Sequence, residues 1–474
     1  MGGHVRHRAL NVKELAHAGN EEDVPHENSS DQHSRTFEIL HLPDDLPLIF
    51  WHKGLFIRKK RKPPPPFTGN EENCIIYSEM ERRRTVKRGK ATLALILLAS
   101  LFLLPSLSAA GSKRTAPLKV GVLCPLSGPF APGGKSFLRS VTLAAEEINE
   151  KGGVLGRPIL LVTGDSEGKV GRARNEALRL VDSEGVKFLI GAYLSEETLG
   201  VVEVAAERKV LLLVPISATE RITGLVRENP DRYSTVFRTG FSISRWAEMI
   251  ARFISAQGSR KPAFLGTAIR WNRELAEKLE EVLSRQGIKL IIEDFYSPRR
   301  PVIKPILLRL ALKKPDLIIL GDPGKNSIQA VREMEELGLK TPILSVGGTL
   351  ADERVAKDLS PKVPLYALAA AYRGASPEAD RYFDAFRKKY GYFPSGYSDT
   401  LPGDALRILA GALQKAREWS PKSVASLLEK GTFPGVSGAY SFDESHQAEW
   451  GTPSLSGVVV RWEGSRFVPL KPEK

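Results

Sequence analysis

The sequence predicts a two-lobed α/β fold in which parallel sheets are flanked by helices. From residue 117 onward, short apolar runs alternate with amphipathic stretches, a pattern typical of parallel sheets covered by helices on both faces. Eight predicted strands follow in series, and they divide into two sheets at a crossing near residues 235–241. Hydrophobic residues make up 42% and charged residues 26% of the chain, which is the balance of a globular protein.

The predicted strands are short apolar runs, and the predicted helices between them are amphipathic. The strands cover residues 118–124, 159–164, 188–191, 210–215, 263–266, 290–295, 317–321 and 343–346. The helices include residues 135–151, 172–184, 242–256, 273–286 and 327–337.

The C-terminal part is less regular and is expected to return to both lobes. Its predicted elements are a strand at 365–370, helices at 377–390 and 403–415, and short strands at 458–462 and 467–470. Each lobe is therefore predicted to be discontinuous in sequence. The first comprises residues 117–238 and about 366–435, and the second 239–365 and about 436–470.

Residues 80–110 have the three parts of a secretory signal peptide. A basic head at 80–90 precedes the uncharged run 91–104, and small residues follow as far as Ala110. The run is shorter than the roughly 20 residues of a bilayer-spanning helix. Cleavage near Ala110 and export to the periplasm are expected, and an uncleaved membrane anchor is the alternative.

Residues 1–79 precede this signal and show no sustained helical or strand period. They include a basic and proline-rich stretch at 58–66. Met80 is a plausible true start, so the segment is interpreted as disordered or as an artefact of start-site choice. The alternative is a cytoplasmic basic tail that acts in targeting or binds nucleic acid.

Charge and cysteine content exclude several classes of partner. The formal net charge is +14, but the basic residues are interleaved with Glu and Asp, as on a solvated mixed-sign surface. No nucleic-acid partner is expected. Cys74 and Cys124 are the two cysteines, and the predicted cleavage separates them. Neither a disulfide nor a bound metal or cofactor is expected.

Catalytic machinery is not visible in the sequence. Residues 134–136, GKS, resemble the end of a phosphate-binding loop, but Pro129 stands where that motif requires glycine. G-x-S-x-G and H-E-x-x-H motifs are absent from the sequence. Cys124 and His446 are the one thiol and the one imidazole after residue 110, and they lie far apart. The protein is predicted not to be an enzyme.

Three predicted strand-to-helix junctions carry groups suited to binding an anion. Ser127 follows the first strand, Tyr193 and Ser195 follow the third, and Ser217 and Thr219 follow the fourth. Open α/β sheets bind ligands at such junctions, where hydroxyls and helix N-terminal N–H groups can converge on a carboxylate. For any one Ser or Thr the alternative is a helix N-cap.

Several longer motifs resemble one family. They are PLSGP at 125–129, AEEINEKGGVLG at 145–156, Asp165 at the end of the second strand, and LIGAYLS at 189–195. On these motifs, residues 118–469 resemble the periplasmic type I solute-binding proteins of branched-chain amino-acid transporters. The resemblance covers essentially the whole predicted mature chain.

The resemblance implies two Rossmann-like lobes joined by three crossovers, with a ligand captured between them by hinge closure. It implies delivery to an ABC permease and its ATPase, and the receptor is expected to be a monomer. Ser195, Ser217 and Thr219 then correspond to groups that receive an amino acid's carboxylate and amine. Trp271 corresponds to an aromatic residue of the second lobe, although a packed indole is the alternative.

One difference between this sequence and that family concerns the ligand. Amino-acid-binding relatives often carry an acid after the strand at 343–346, where this sequence has Gly347 and Gly348. Asp322 is the candidate to supply the missing charge. The candidate ligands therefore include aromatic acids, amides and other small carboxylates. The alternative function is a ligand-sensing regulatory protein of the same fold that acts on a membrane or enzyme partner.

Overall fold

A computed structural model describes residues 116–470, leaving aside the side chains of residues 292–294. The predicted extension, residues 1–79, and the predicted signal peptide, residues 80–110, lie outside the described residues. The described chain forms two large sheets flanked by helices and one short two-stranded ribbon. The predicted α/β fold class is confirmed.

The strands alternate with helices as far as residue 369. The strands are β1 (Leu118–Cys124), β2 (Ile159–Asp165), β3 (Phe188–Gly191), β4 (Leu211–Val214), β5 (Val236–Arg238), β6 (Pro262–Thr267), β7 (Ile291–Tyr296), β8 (Leu317–Gly321), β9 (Ile343–Val346), β10 (Leu365–Ala369), β11 (Phe433–Pro434), β12 (Ala439–Tyr440), β13 (Val458–Trp462) and β14 (Phe467–Pro469). The helices are α1 (Ala131–Glu150), α2 (Val170–Leu178), α3 (Ser195–Arg208), α4 (Glu220–Glu228), α5 (Ile243–Ala256), α6 (Arg270–Ser284), α7 (Lys304–Lys313), α8 (Asn326–Glu336), α9 (Glu353–Leu359), α10 (Pro377–Tyr390), α11 (Leu401–Lys415) and α12 (Pro421–Leu428).

Side-chain caps fix where several helices begin. Ser242 Oγ accepts a hydrogen bond of 3.1 Å from the backbone N–H of Arg245 at the start of α5. Ser376 Oγ likewise accepts from Ala379 N–H at 3.0 Å, and Pro377 follows as the first residue of α10. These bonds satisfy backbone donors that have no partner inside the helix.

The sheet of the first lobe is wholly parallel and has the strand order β2-β1-β3-β4-β5. Strands β3 and β4 are buried along their whole length, as expected for parallel strands covered on both faces. The sheet extends from β1 in both directions, to β2 on one side and β3 on the other. Such a switch point is where open α/β sheets place ligands.

The sheet of the second lobe has the order β14-β13-β10-β9-β8-β6-β7. Strands β6 to β10 are parallel. At one edge β13 pairs antiparallel with β10, and β14 pairs antiparallel with β13. The late strands thus complete the second sheet after the chain has visited the first lobe.

The chain changes lobe after β5, after β10 and between β12 and β13. The predicted change at about residue 366 was placed too early. Leu365 pairs with Ile343 of β9, and Ala369 pairs with Val458 of β13, so β10 is part of the second sheet. The return comes after it, and α11 then packs on α1, where Ser140 Oγ donates to Thr400 O at 3.1 Å.

The short strand β5 was not predicted from the sequence. Each of the eight runs proposed as strands in residues 118–346 overlaps a strand, but β5 has three residues and was interpreted as part of a crossing. Three residues are too few to show a period. None of the described helices is long and apolar enough to cross a membrane, and no cluster of metal-ligating side chains occurs among residues 116–470.

Candidate functional site

A narrow cavity lies between the two lobes. Most of its wall comes from segments that follow strands at their carboxyl ends. The lining residues are Tyr193, Leu194, Ser195, Ile216, Ser217, Ala218, Ile269, Trp271, Pro323, Gly347 and Tyr397.

The turn between β3 and α3 forms one part of the first-lobe wall. The Glu197 carboxylate folds back over it and accepts hydrogen bonds of 2.9 Å from the backbone N–H groups of Tyr193 and Leu194. Helix α3 then begins at Ser195. The turn therefore presents Ser195 and the positive end of a helix dipole to the cavity.

Two serine hydroxyls of the first lobe are buried without partners at this wall. Ser195 and Ser217 are each 2% exposed, and both line the cavity. Neither Oγ atom has a hydrogen-bond partner among the described residues. A buried hydroxyl without a partner is costly, so a polar group inside the cavity is the natural partner for both.

A buried arginine holds the segment that carries Ser217. The side chain of Arg238, at the end of β5, is 0% exposed. Its guanidinium donates to Ala218 O at 2.8 Å and to Thr219 O, and also to Gln447 Oε1. Arg238 thus ties the cavity wall to the last crossover between the lobes.

The second-lobe wall is mainly apolar and aromatic. Trp271 in the first turn of α6 is 8% exposed and lines the cavity. Its ring packs edge-on against Trp246, with centroids 5.8 Å apart, and Trp246 packs edge-on against Tyr397 at 5.3 Å. This aromatic cluster fixes the orientation of the Trp271 indole.

Thr219 lies at the contact between the lobes and does not line the cavity. It is the N-cap of α4, and its Oγ1 accepts from Arg221 N–H at 3.4 Å. The same hydroxyl donates to Glu274 Oε1 on α6 at 3.0 Å. Arg270 of α6 also reaches the first lobe, because its backbone N–H donates to Glu196 Oε1 at 2.5 Å.

Asp322 lies behind the cavity wall, next to Pro323. It is 1% exposed and accepts hydrogen bonds of 2.6 Å from Tyr296 Oη and from Gly324 N–H. Burial raises the pKa of its carboxyl to about 7. Asp322 is not among the lining residues, so the prediction that it supplies the missing charge has no support in the geometry.

Ser127 is also absent from the cavity wall. It is exposed, and its backbone N–H lies 3.3 Å from Asp165 Oδ1 at the end of β2. The structure thus brings Tyr193, Ser195, Ser217 and Trp271 of the predicted set together, and it places Ser127, Thr219 and Asp322 outside the lining.

Tyr397 and Ile269 line the cavity without having been singled out in the sequence. Tyr397 lies on the loop before α11, and its hydroxyl donates to Ile216 O at 3.3 Å. Ile269 follows β6. The strand-end position was a usable signal for Ile269, whereas nothing in the sequence around Tyr397 indicated a binding surface.

Comparison with known proteins shows the family of the chain. A family model described as periplasmic binding protein matches residues 117–465. A Leu/Ile/Val-binding protein homolog 7 of Brucella abortus is 25% identical over 389 residues, which cover 78% of this chain and 94% of that protein.

Solved structures share the fold. A leucine-binding protein from Thermotoga maritima aligns with a TM-score of 0.65 and 22% identity, over 75% of this chain and 98% of that one. A solute-binding protein of an R. palustris ABC transporter, solved with benzoate, aligns with a TM-score of 0.66 and 19% identity over 75% and 95%. The type I arrangement of two lobes is therefore shared with both proteins.

Proposed function

Since the chain belongs to the periplasmic binding protein family, we propose that it is the solute-binding receptor of an ABC importer. It captures a small polar ligand, an amino acid or a related carboxylate or amide, between its lobes. The importer's membrane permease and ATPase are its partners. Named relatives are Leu/Ile/Val-binding proteins, which supports a role in transport and not in catalysis.

The observation that carries this proposal is that the Ser195 and Ser217 hydroxyls lie on one cavity wall and have no hydrogen-bond partner within residues 116–470. A carboxylate between them accepts a hydrogen bond from each, and the N-terminus of α3 adds a favourable field. Trp271 and Tyr397 cover the rest of the ligand. The wall comes from both lobes, so ligand binding favours the closed arrangement.

Export follows from the predicted signal at residues 80–110. Cleavage near Ala110 releases a monomeric receptor to the periplasm, where it meets the permease. Mass spectrometry of the protein purified from the periplasm tests this step. A mature N-terminus near residue 111 supports it, and a chain retained in the membrane with residues 80–110 intact contradicts it.

A thermal-shift screen tests the receptor function. The purified protein is screened against amino acids, amides, aromatic acids and aliphatic carboxylates, because a ligand that binds the folded state raises its melting temperature. We expect a rise of several degrees with one compound class, reduced in Ser217→Ala. If every compound leaves the melting temperature unchanged, the transport proposal fails and the regulatory alternative gains support.

A further inference from the structure

The cavity wall carries no ionised side chain among the described residues. Its polar side chains are Ser195, Ser217, Tyr193 and Trp271, together with the Tyr397 hydroxyl that donates to Ile216 O. Burial raises the pKa of Tyr193 to about 12, so its phenol is neutral at physiological pH. A charged ligand group must therefore find its partner in a hydroxyl, a backbone group or a helix end.

A carboxylate finds such partners and an ammonium does not. The hydroxyls of Ser195 and Ser217 can both donate, and the N-terminus of α3 favours negative charge. The same helix end disfavours a cation. When a bound ligand displaces the water from this cavity, a protonated amine without an anionic partner loses its hydration and gains little in return.

The acidic side chains behind the wall, Asp322 and Glu197, do not line the cavity. Asp322 accepts from Tyr296 Oη and Gly324 N–H, both at 2.6 Å. Glu197 accepts from the backbone N–H groups of Tyr193 and Leu194 with Oε1, and its Oε2 has no hydrogen-bond partner among the described residues. Neither residue lines the cavity, so neither is placed to pair with an ammonium there.

Two further carboxylates, Glu196 and Glu274, lie at the contact between the lobes. Glu196 Oε1 accepts from the Arg270 backbone N–H, and Glu274 Oε1 pairs with the Arg270 guanidinium at 3.1 Å. The Oε2 atom of each has no hydrogen-bond partner among the described residues. Neither lines the cavity. An ammonium group could pair with Glu196 or Glu274 if the ligand reached past Trp271, so variants of both residues are measured as well.

We propose that the ligand is a small monocarboxylate with an aromatic or branched apolar body and no ammonium group. The carboxylate lies between Ser195 and Ser217, and the apolar body packs against Trp271, Ile269 and Ile216. This inference rests on the proposed receptor function and specifies its ligand.

Calorimetry with matched ligand pairs tests it. Each pair has the same carbon skeleton with and without the amino group: leucine with 4-methylpentanoate, and phenylalanine with 3-phenylpropanoate. We expect the deamino acid of at least one pair to bind about tenfold more tightly than its amino acid, or more. Equal or tighter binding of the amino acids in both pairs overturns the inference while leaving the receptor function intact.

Variants of Ser217, Glu274 and Glu196 show which residues bind each end of the ligand. Ser217→Ala is expected to weaken 3-phenylpropanoate binding about tenfold, whereas Glu274→Gln and Glu196→Gln leave the preference within each pair unchanged. A leucine affinity that falls in Glu274→Gln while that for 4-methylpentanoate holds would assign an ammonium to Glu274 and overturn the inference. If no member of either pair and no compound of the wider screen binds, the receptor function itself fails.

Discussion

Thr219 Oγ1 donates a hydrogen bond of 3.0 Å to Glu274 Oε1, and so joins the N-cap of α4 in the first lobe to α6 in the second. The sequence pattern predicted Thr219 as a ligand group. The structure instead gives it a place in the contact that holds the lobes together, one residue beyond the cavity wall at Ala218.

Removing this hydroxyl should favour the open arrangement. Thr219→Val keeps the shape of the side chain but loses the bond to Glu274, which is worth about 1 kcal/mol. Ligand affinity, measured by calorimetry, should fall about fivefold. Thr219→Ser retains the hydroxyl and should bind within about twofold of wild type. Equal affinities of the Val and Ser variants would show that the bond plays no part in closure.

The hydroxyl of Ser217 should matter for binding more than for folding. Its Oγ has no partner among the described residues, so Ser217→Ala should change the free energy of unfolding by less than about 1 kcal/mol while weakening ligand binding about tenfold.

Ser140→Ala is the matched control. Ser140 Oγ is buried, donates to Thr400 O at 3.1 Å and accepts from Gly403 N–H at 2.9 Å. Its loss should lower the free energy of unfolding by about 1 to 3 kcal/mol without a comparable loss of affinity. The opposite pattern for the two serines, measured by urea denaturation and calorimetry, would contradict the assignment of Ser217.

Arg238 should be a large contributor to stability. Arg238→Met leaves the carbonyl oxygens of Ala218 and Thr219 without their donor, and urea denaturation should show a loss of about 3 kcal/mol. Arg221→Met removes an arginine that is 47% exposed and pairs with Glu228, and should cost less than about 1 kcal/mol. Similar losses of unfolding free energy in both variants would contradict a larger contribution from the buried Arg238.

Asp322 should make stability fall as pH rises. Burial raises the pKa of its carboxyl from 3.8 to about 7, so between these values the folded state holds a proton that the unfolded state releases. Its contribution is therefore most favourable near pH 4 and is lost progressively up to about pH 7, on the order of 1 kcal/mol per pH unit. The stability difference between wild type and Asp322→Asn, from denaturation at several pH values, should show this slope.

Asp316 provides the comparison for that slope. Hydrogen bonds from Ser259 Oγ and from the backbone N–H groups of Arg260 and Lys261 reach its carboxylate, and they hold its pKa below the usual 3.8 although burial opposes them. The difference between wild type and Asp316→Asn should therefore be flat from pH 5 to about pH 7. A flat difference for Asp322→Asn as well would contradict the raised pKa of Asp322.

Most strands of the two sheets could be predicted because an apolar run is a local feature of the sequence. Their parallel arrangement could be predicted because strands that alternate with helices generally form parallel sheets. Strand β5 was missed because Val236–Arg238 is too short to show a period. The strands at 458–462 and 467–470 were predicted, but their antiparallel pairing at the edge of the second sheet was not, because residue spacing does not encode strand direction.

Part of the predicted residue set lines the cavity and part does not, for a physical reason. Strand-to-helix junctions were enough to propose Ser195 and Ser217, and the family resemblance led to Trp271; all three line the cavity. Neither the junctions nor the resemblance could show which way a side chain turns. Thr219 turns to Glu274 and Asp322 to Tyr296, while Tyr397 reaches the wall from a loop far along the chain.

A crystal structure with the compound that most raises the melting temperature tests the central claim most directly. We predict that the ligand lies between the lobes, with its carboxylate within hydrogen-bond distance of both Ser195 Oγ and Ser217 Oγ and its apolar body against Trp271. A ligand bound elsewhere, with both serine hydroxyls out of its reach, would contradict the account.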